Sequence, residues 1–326
     1  MTHVIASDMS EQIKQTLTIP EEHAGLRLDR SLAMLLPEYS RAKIQNWITQ
    51  QWVTVNGEFQ ASRFNVHGGE EIILNPIQEN QNKQHSAEDI PLNIVFEDEH
   101  LIVVNKPAGL VVHPGAGNPG GTLMNALLHH NPQQSMLPRA GIVHRLDKDT
   151  SGVMVVAKSL VAHTALTNML QQREVGRRYY AVVRGQMISG GTIDEPIGRH
   201  PHDRTKMAIS EKGKPACTHY MVVEKFQRHT WVEAKLETGR THQIRVHFSA
   251  KKYPLIGDTV YAPRVQRVAN VPEALNECLG AFPRQALHAH QLAFNHPVTG
   301  QPMQWDAQMP EDMHQLLHML TEYSSL

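Results

Sequence analysis

From Leu28 the apolar positions recur at helical spacing, Leu28, Leu32, Leu35 and Leu36. Beyond Ser40, which can cap a second helix, the stripe resumes as Ile44, Trp47 and Ile48. Val53 and Val55 then alternate with Thr54 and Asn56, and Asn56-Gly57 is a pair that favours a tight hairpin turn. Two helices followed by a small sheet are therefore predicted. Residues 78–91 (QENQNKQHSAEDIP) are polar, amide-rich and nearly free of large apolar side chains, the composition of a linker. Beyond it short strand-like runs dominate, at 93–96, 101–105, 153–157, 179–184, 231–236 and 243–247, interrupted by helical patterns at 123–130 and 161–173. This is not the regular strand-helix alternation of a doubly wound parallel sheet. The pattern predicts an α+β chain: a small domain over residues 1–77, a linker over 78–91, and over 92–326 a larger domain built on a mixed, mainly antiparallel sheet.

Charge changes that picture more than composition does. The 326 residues carry a net charge of -1, but its distribution is uneven: -3 over residues 1–76, -5 over 77–100, +11 over 101–265 and -4 over 266–326. A surplus of that size in the middle section gathers a polyanion and points to nucleic acid. The two cysteines, Cys217 and Cys278, are too few and too far apart for a disulfide framework or a cysteine-only zinc site, so a reducing cytoplasm is expected. No run approaches the roughly 18 apolar residues of a membrane span.

Several motifs could carry chemistry. Gly115-Ala116-Gly117-Asn118-Pro119-Gly120 fits a dinucleotide fingerprint literally, but Pro114 and Pro119 remove backbone donors and no acid follows about 20 residues on, so the loop is read as backbone shape. The histidine pairs 200/202, 242/247 and 288/290 lack a carboxylate at helical spacing, and no metal is expected. Titratable groups are densest at His144-Arg145-Leu146-Asp147-Lys148-Asp149-Thr150-Ser151-Gly152, a polar loop between two apolar segments. A second constellation is Gly239-Arg240-Thr241-His242-Gln243-Ile244-Arg245-Val246-His247. Read as a strand, it puts Thr241, Gln243, Arg245 and His247 on one face, with Arg245 placed to keep a facing carboxylate ionised.

At these residues the chain resembles the pseudouridine synthases that modify large-subunit ribosomal RNA, and most closely their D branch. The likeness rests on Val103-Val104-Asn105-Lys106-Pro107, the loop at 144–152, Arg177-Arg178-Tyr179-Tyr180 and the motif at 239–247, in order and spacing. Residues 20–76 resemble the small RNA-binding S4 domain, whose RNA-facing positions would be Arg27, Arg30, Arg41 and Lys43. The resemblance implies isomerisation of uridine to pseudouridine in a stem-loop of 23S rRNA or a large-subunit precursor, by a monomer needing no metal, nucleotide or other cofactor. It assigns Asp147 as the catalytic aspartate, with Asp149 its rival, and Arg245 as the counter-charge. Tyr179, rather than Tyr180, would stack on the flipped base, and Arg145 would fill the vacated space. The competing readings are a non-catalytic S4-type RNA-binding or ribosome-assembly factor, a synthase acting on tRNA, and a hydrolase using Asp147 and Asp149.

Overall fold

The computed structural model describes residues 15–36, 39, 41–74, 86–115, 117–203, 205–262 and 271–324, the side chains of residues 42 and 43 excepted. Ser40 and most of the segment 78–91 lie outside the described residues. The chain divides into two compact units, residues 1–84 and 85–326.

In the first unit β1 (Gln15–Thr18) is followed by α1 (Leu28–Leu35), α2 (Arg41–Thr49), β2 (Val53–Val55) and β3 (Glu71–Leu74). The strands pair antiparallel in the order β1-β3-β2. The apolar stripe seen in the sequence is the buried one: Leu28, Leu32 and Leu36 meet Ile44, Trp47 and Ile48 above Val53, Val55, Ile72 and Leu74. After β2 the chain reverses through Asn56 and Gly57, at φ 50° and 82°. Both lie in the left-handed region, which Asn and Gly tolerate best.

The second unit runs β4 (Ile94–Glu97), β5 (Leu101–Lys106), α3 (Leu123–His130), β6 (Ser151–Ala157), α4 (Leu160–Gln171) and β7 (Gly176–Arg184). It continues with β8 (Gly191–Asp194), β9 (Ile197–Arg199), β10 (Met207–Ile209), β11 (Cys217–Lys225), β12 (His229–Leu236) and α5 (Gln243–Ala250). The last elements are α6 (Glu273–Ala281), β13 (Leu287–Asn295), β14 (Pro302–Asp306) and α7 (Glu311–Ser324). A nine-stranded sheet is ordered β4-β5-β6-β13-β7-β12-β11-β8, with β14 against β13 and β9-β10 as a separate ribbon. Every pairing in it is antiparallel except the short β6-β13 contact.

Burial on both sides explains why β5 and β6 read as nearly unbroken apolar runs. Leu101, Val103, Val153 and Val155 pack with Ala162 and Leu166 of α4, whereas Ile102, Val104, Met154 and Val156 pack with Leu123 and Leu127 of α3. Where β6 meets β13, Gly152 has φ +120°, and a Cβ there would stand 2.1 Å from the Ala289 carbonyl oxygen. Only glycine fits. Farther along the sheet, Tyr179, Ala181, Val232 and Ala234 pack with Ile244 and Phe248 of α5, while Val182 meets α6 and α7 through Leu275, Leu279, Met313 and Leu316. Among the described residues no helix is long and apolar enough to cross a membrane.

One expected element is wrong. The segment 243–247 is not a strand but the first part of α5, entered through His242 at φ 57°. The alternation of Ile244, Val246 and Phe248 imitates a strand because α5 is buried almost all round: Ile244 and Phe248 belong to one cluster and Val246 to another, with Ile197 and Ala216. The polar residues between them are buried too, each with partners. Gln243 and His247, one turn apart, both hydrogen-bond the Thr218 hydroxyl, at 3.0 and 2.9 Å.

Candidate active site

The loop carrying Asp147 is built by long-range backbone anchoring. Lys106 at the end of β5 is 1% exposed, and its Nζ donates to the carbonyls of Pro107 (2.7 Å), Leu110 (2.9 Å) and Lys148 (2.9 Å). Burial pushes this amine down to about 7 against the pull of Asp149 and Asp147. Gly109 also donates its N–H to the Lys148 carbonyl, Arg284 donates to that of Asp149 at 3.1 Å, and Thr150 N–H donates to that of Asp147. Arg284 is itself gripped by Asp312 of α7 through two bonds of 2.6 and 2.8 Å.

The Asp147 carboxylate, 15% exposed, accepts from Arg245 Nη1 at 3.1 Å. The strand reading was wrong about α5, but the expected pair forms. What the sequence reading missed is that Arg245 has a second carboxylate: Nε and Nη2 donate in fork geometry to Asp258 at 2.7 and 2.9 Å, and the Asp258 side chain is 0% exposed. Burial alone would push the Asp258 carboxyl up. The Arg245 bonds and charge, with the N–H groups of Tyr261 and Val260, outweigh it and hold the carboxyl below its ordinary value. Arg245 is held well above its own ordinary value by the two acids, against its burial. Tyr261 covers the guanidinium, 5.1 Å from its ring centre, and its hydroxyl is 2.7 Å from His242 Nδ1. The other ring nitrogen of His242 stands 3.9 Å from Asp147.

Asp147, Tyr179, Arg145 and Arg245 all line one cleft of about 540 Å³. Arg145 is exposed at its wall. Tyr179 is buried on the inner face of β7, where burial raises its hydroxyl pKa, Arg177 opposes and Asp147 adds to the rise. Tyr180 points to the opposite face and stacks on His290 at 3.8 Å between centroids, outside the cleft. Asp149 does not line it either. His144 accepts from Val155 N–H at 3.1 Å and is held neutral, its pKa lowered to about 3 by burial and then by Arg177.

In the first unit Arg27 and Arg41 converge on Asp29, which the sequence reading did not single out. Arg27 Nε lies 3.1 Å and Arg41 Nη2 2.9 Å from a carboxylate that is itself fully buried, while each arginine side chain stays 48% exposed. Arg30 is exposed. Lys43 contributes its backbone to α2, and its side chain lies outside the described residues.

A mixed sheet with an aspartate, a tyrosine and an arginine converging in one cleft, preceded by a small two-helix unit, defines a class. The family described as RNA pseudouridylate synthase matches residues 100–250, and the S4 domain family matches residues 26–72. The chain is 50% identical over 313 residues to the ribosomal large subunit pseudouridine synthase D of Escherichia coli (strain K12), covering 96% of each chain. To the protein of that name from Pseudomonas aeruginosa it is 52% identical over 314 residues, covering 96% of this chain and 98% of the relative. Among solved structures, Human RNA Pseudouridylate Synthase Domain Containing 4 superposes with a TM-score of 0.55 at 27% identity, covering 70% of this chain and 93% of that one. This chain belongs to the RNA pseudouridylate synthase family.

Proposed function

We propose that this enzyme isomerises specific uridines of large-subunit ribosomal RNA to pseudouridine, in keeping with the ribosomal large subunit in its relatives' names, and that Asp147 carries the reaction. The supporting observation is the ion-paired carboxylate: Asp147 sits in a cleft beside a buried tyrosine, paired with Arg245, which Asp258 holds from behind. In the isomerisation the N1–C1′ bond breaks, the uracil turns, C5 bonds to C1′, the C5 hydrogen leaves to water and a proton is taken up at N1. Nothing is oxidised, and neither metal nor nucleotide is required. A fixed carboxylate suits attack on a sugar or base carbon, and Arg245 holds it in place.

A base in a stem-loop is inaccessible while stacked, so the nucleotide is turned out at a cost of a few kcal/mol. Tyr179 stacks on the uracil inside the cleft, and the exposed Arg145 fills the gap in the RNA, where its guanidinium replaces part of the lost stacking. A small domain over residues 1–77 selects the RNA with Arg27, Arg30, Arg41 and Lys43, a linker follows over 78–91, and residues 92–326 do the chemistry. The enzyme works as a monomer in the cytoplasm. The test is release of tritium from 5-labelled uridine in large-subunit RNA, joined to a map of pseudouridines in cells with and without the protein. RNA that binds but releases no tritium would make the chain an RNA-binding factor, and cleaved product would make it a hydrolase.

A further inference from the structure

Arg177 lies two residues before Tyr179 on β7, on the same buried face, and is 7% exposed. Its Nη2 donates to the Glu237 carbonyl at 3.2 Å, while its Nε is buried without a partner. Among the described residues no carboxylate pairs with it. The two acids that line the cleft are committed elsewhere, Asp147 to Arg245 and Glu237 to Arg173 and His219. Tyr179 is neutral, and His144, on the same cleft wall, does not supply a negative charge. A buried guanidinium without a counter-charge is costly, and a neutral uracil does not compensate it. The backbone is shaped around this side chain: a Cβ at Gly239 would stand 2.7 Å from Arg177 Nη1, so the turn before α5 leaves the space the guanidinium occupies. Arg139, Arg145 and Arg240 line the same cleft, also without a carboxylate partner among the described residues.

We propose that Arg177 is a phosphate anchor, its fork closing on the phosphodiester next to the uridine turned into the cleft. This rests on the reading of the cleft as an RNA-modifying site and assigns the strand's backbone to one side chain. The phosphate supplies the missing counter-charge and accepts from Nε, and the bidentate geometry of Arg fixes the nucleotide beside Tyr179. Arg177 is thus a binding and positioning residue.

The test measures binding of a labelled stem-loop against salt. Removing one phosphate contact lowers the slope of log affinity against log salt by about 0.7–0.9. Arg177→Gln should show that loss with an affinity about ten- to a hundred-fold lower, and Arg177→Lys should recover the slope. Stem-loops carrying one neutral methylphosphonate each then locate the contact. The position beside the converted uridine should weaken wild type similarly and add nothing in Arg177→Gln. If Arg177→Gln does not fold, Gly239→Ala, which pushes the guanidinium from its place, must give the same non-additive result. An unchanged slope, with or without a lower melting temperature, or methylphosphonate effects that add in full at every position, overturns the anchor. Tritium release by wild type is read in the same samples: its absence overturns the functional reading, while the salt slope still decides the anchor.

Discussion

Replacing Arg245 by Met should damage stability and chemistry together, and should do so in a pH-dependent way. The substitution removes the cation shared by Asp147 and Asp258. Asp147, 15% exposed, regains some solvation, but the Asp258 side chain is 0% exposed and among the described residues keeps only the N–H groups of Val260 and Tyr261. Breaking a buried pair by removing one partner costs about 3–5 kcal/mol. For a domain of this size each kcal/mol moves the melting temperature by about 2–4 °C, so a fall of roughly 6–20 °C is expected. In the wild type Asp258 titrates below its ordinary value, and its contribution is present above that value and lost as the pH falls through the folded one. In Arg245→Met the same carboxyl is buried without a cation and its pKa rises. The penalty is then full at neutral pH and relieved as the pH falls through the raised value. The gap in melting temperature between wild type and mutant should narrow from pH 7 to pH 5, with tritium release lost throughout. Equal melting temperatures with full activity, or a gap that widens on acidification, would refute the shared-cation account.

Asp147→Asn should abolish pseudouridine formation while leaving the melting curve and RNA binding nearly intact; Asp149→Asn, whose side chain lies outside the cleft, should retain measurable release. Lys106→Met removes the Lys106 bond to the carbonyls of Pro107 and Leu110 and leaves that of Lys148 with Gly109 N–H, and thermal denaturation should report a loss of about 1–3 kcal/mol together with lower turnover. Burial holds His229 and His288 at about 4, below the ordinary 6.5, so the unfolded chain binds protons first on acidification. Stability should be full above 6.5 and fall toward pH 4, by about 2 kcal/mol per histidine at pH 5, and His288→Gln should flatten that melting profile. Removing residues 1–76 should leave most of the salt slope, measured on naked RNA, because the positive surplus lies in 101–265, while preference for the proper stem-loop is lost.

The helices and most strands were legible because their apolar periods are local. The seven buried residues of β6 and the stripes from Leu28 to Leu36 and from Ile44 to Ile48 each declare themselves within a dozen positions. The segment 243–247 misled for a definable reason. Its polar residues are buried by partners elsewhere in the chain, Thr218 for Gln243 and His247 and Asp258 for Arg245, so the pattern carried no solvent face from which to read a helical period. Asp147, Tyr179 and Arg245 could be named from their motifs. Asp258 could not: it follows an apolar pair in an ordinary turn, and only the fold brings it under Arg245. Arg177 was closer to hand, since a strand through Tyr179 puts it on the same face by its period of two.

The clamps on the loop explain why an aspartate between two apolar segments can be aimed at all. Three consecutive carbonyls, those of Asp147, Lys148 and Asp149, are each tied down: by Thr150 within the loop, by Lys106 and Gly109 from the β5 side, and by Arg284 from beneath α7. Lys106 and Arg284 are buried and donate hydrogen bonds to peptide oxygens rather than to Asp147, so they restrict the loop without competing for the carboxylate. Arg245 hydrogen-bonds the side chain, and Asp258 fixes where Arg245 points. Backbone position and the direction of the carboxylate are therefore set by separate groups. That separation lets the two be perturbed apart, with Lys106 and Arg284 acting on the backbone and Arg245 and Asp258 on the side chain, and it is why Asp147→Asn should cost chemistry and almost no structure.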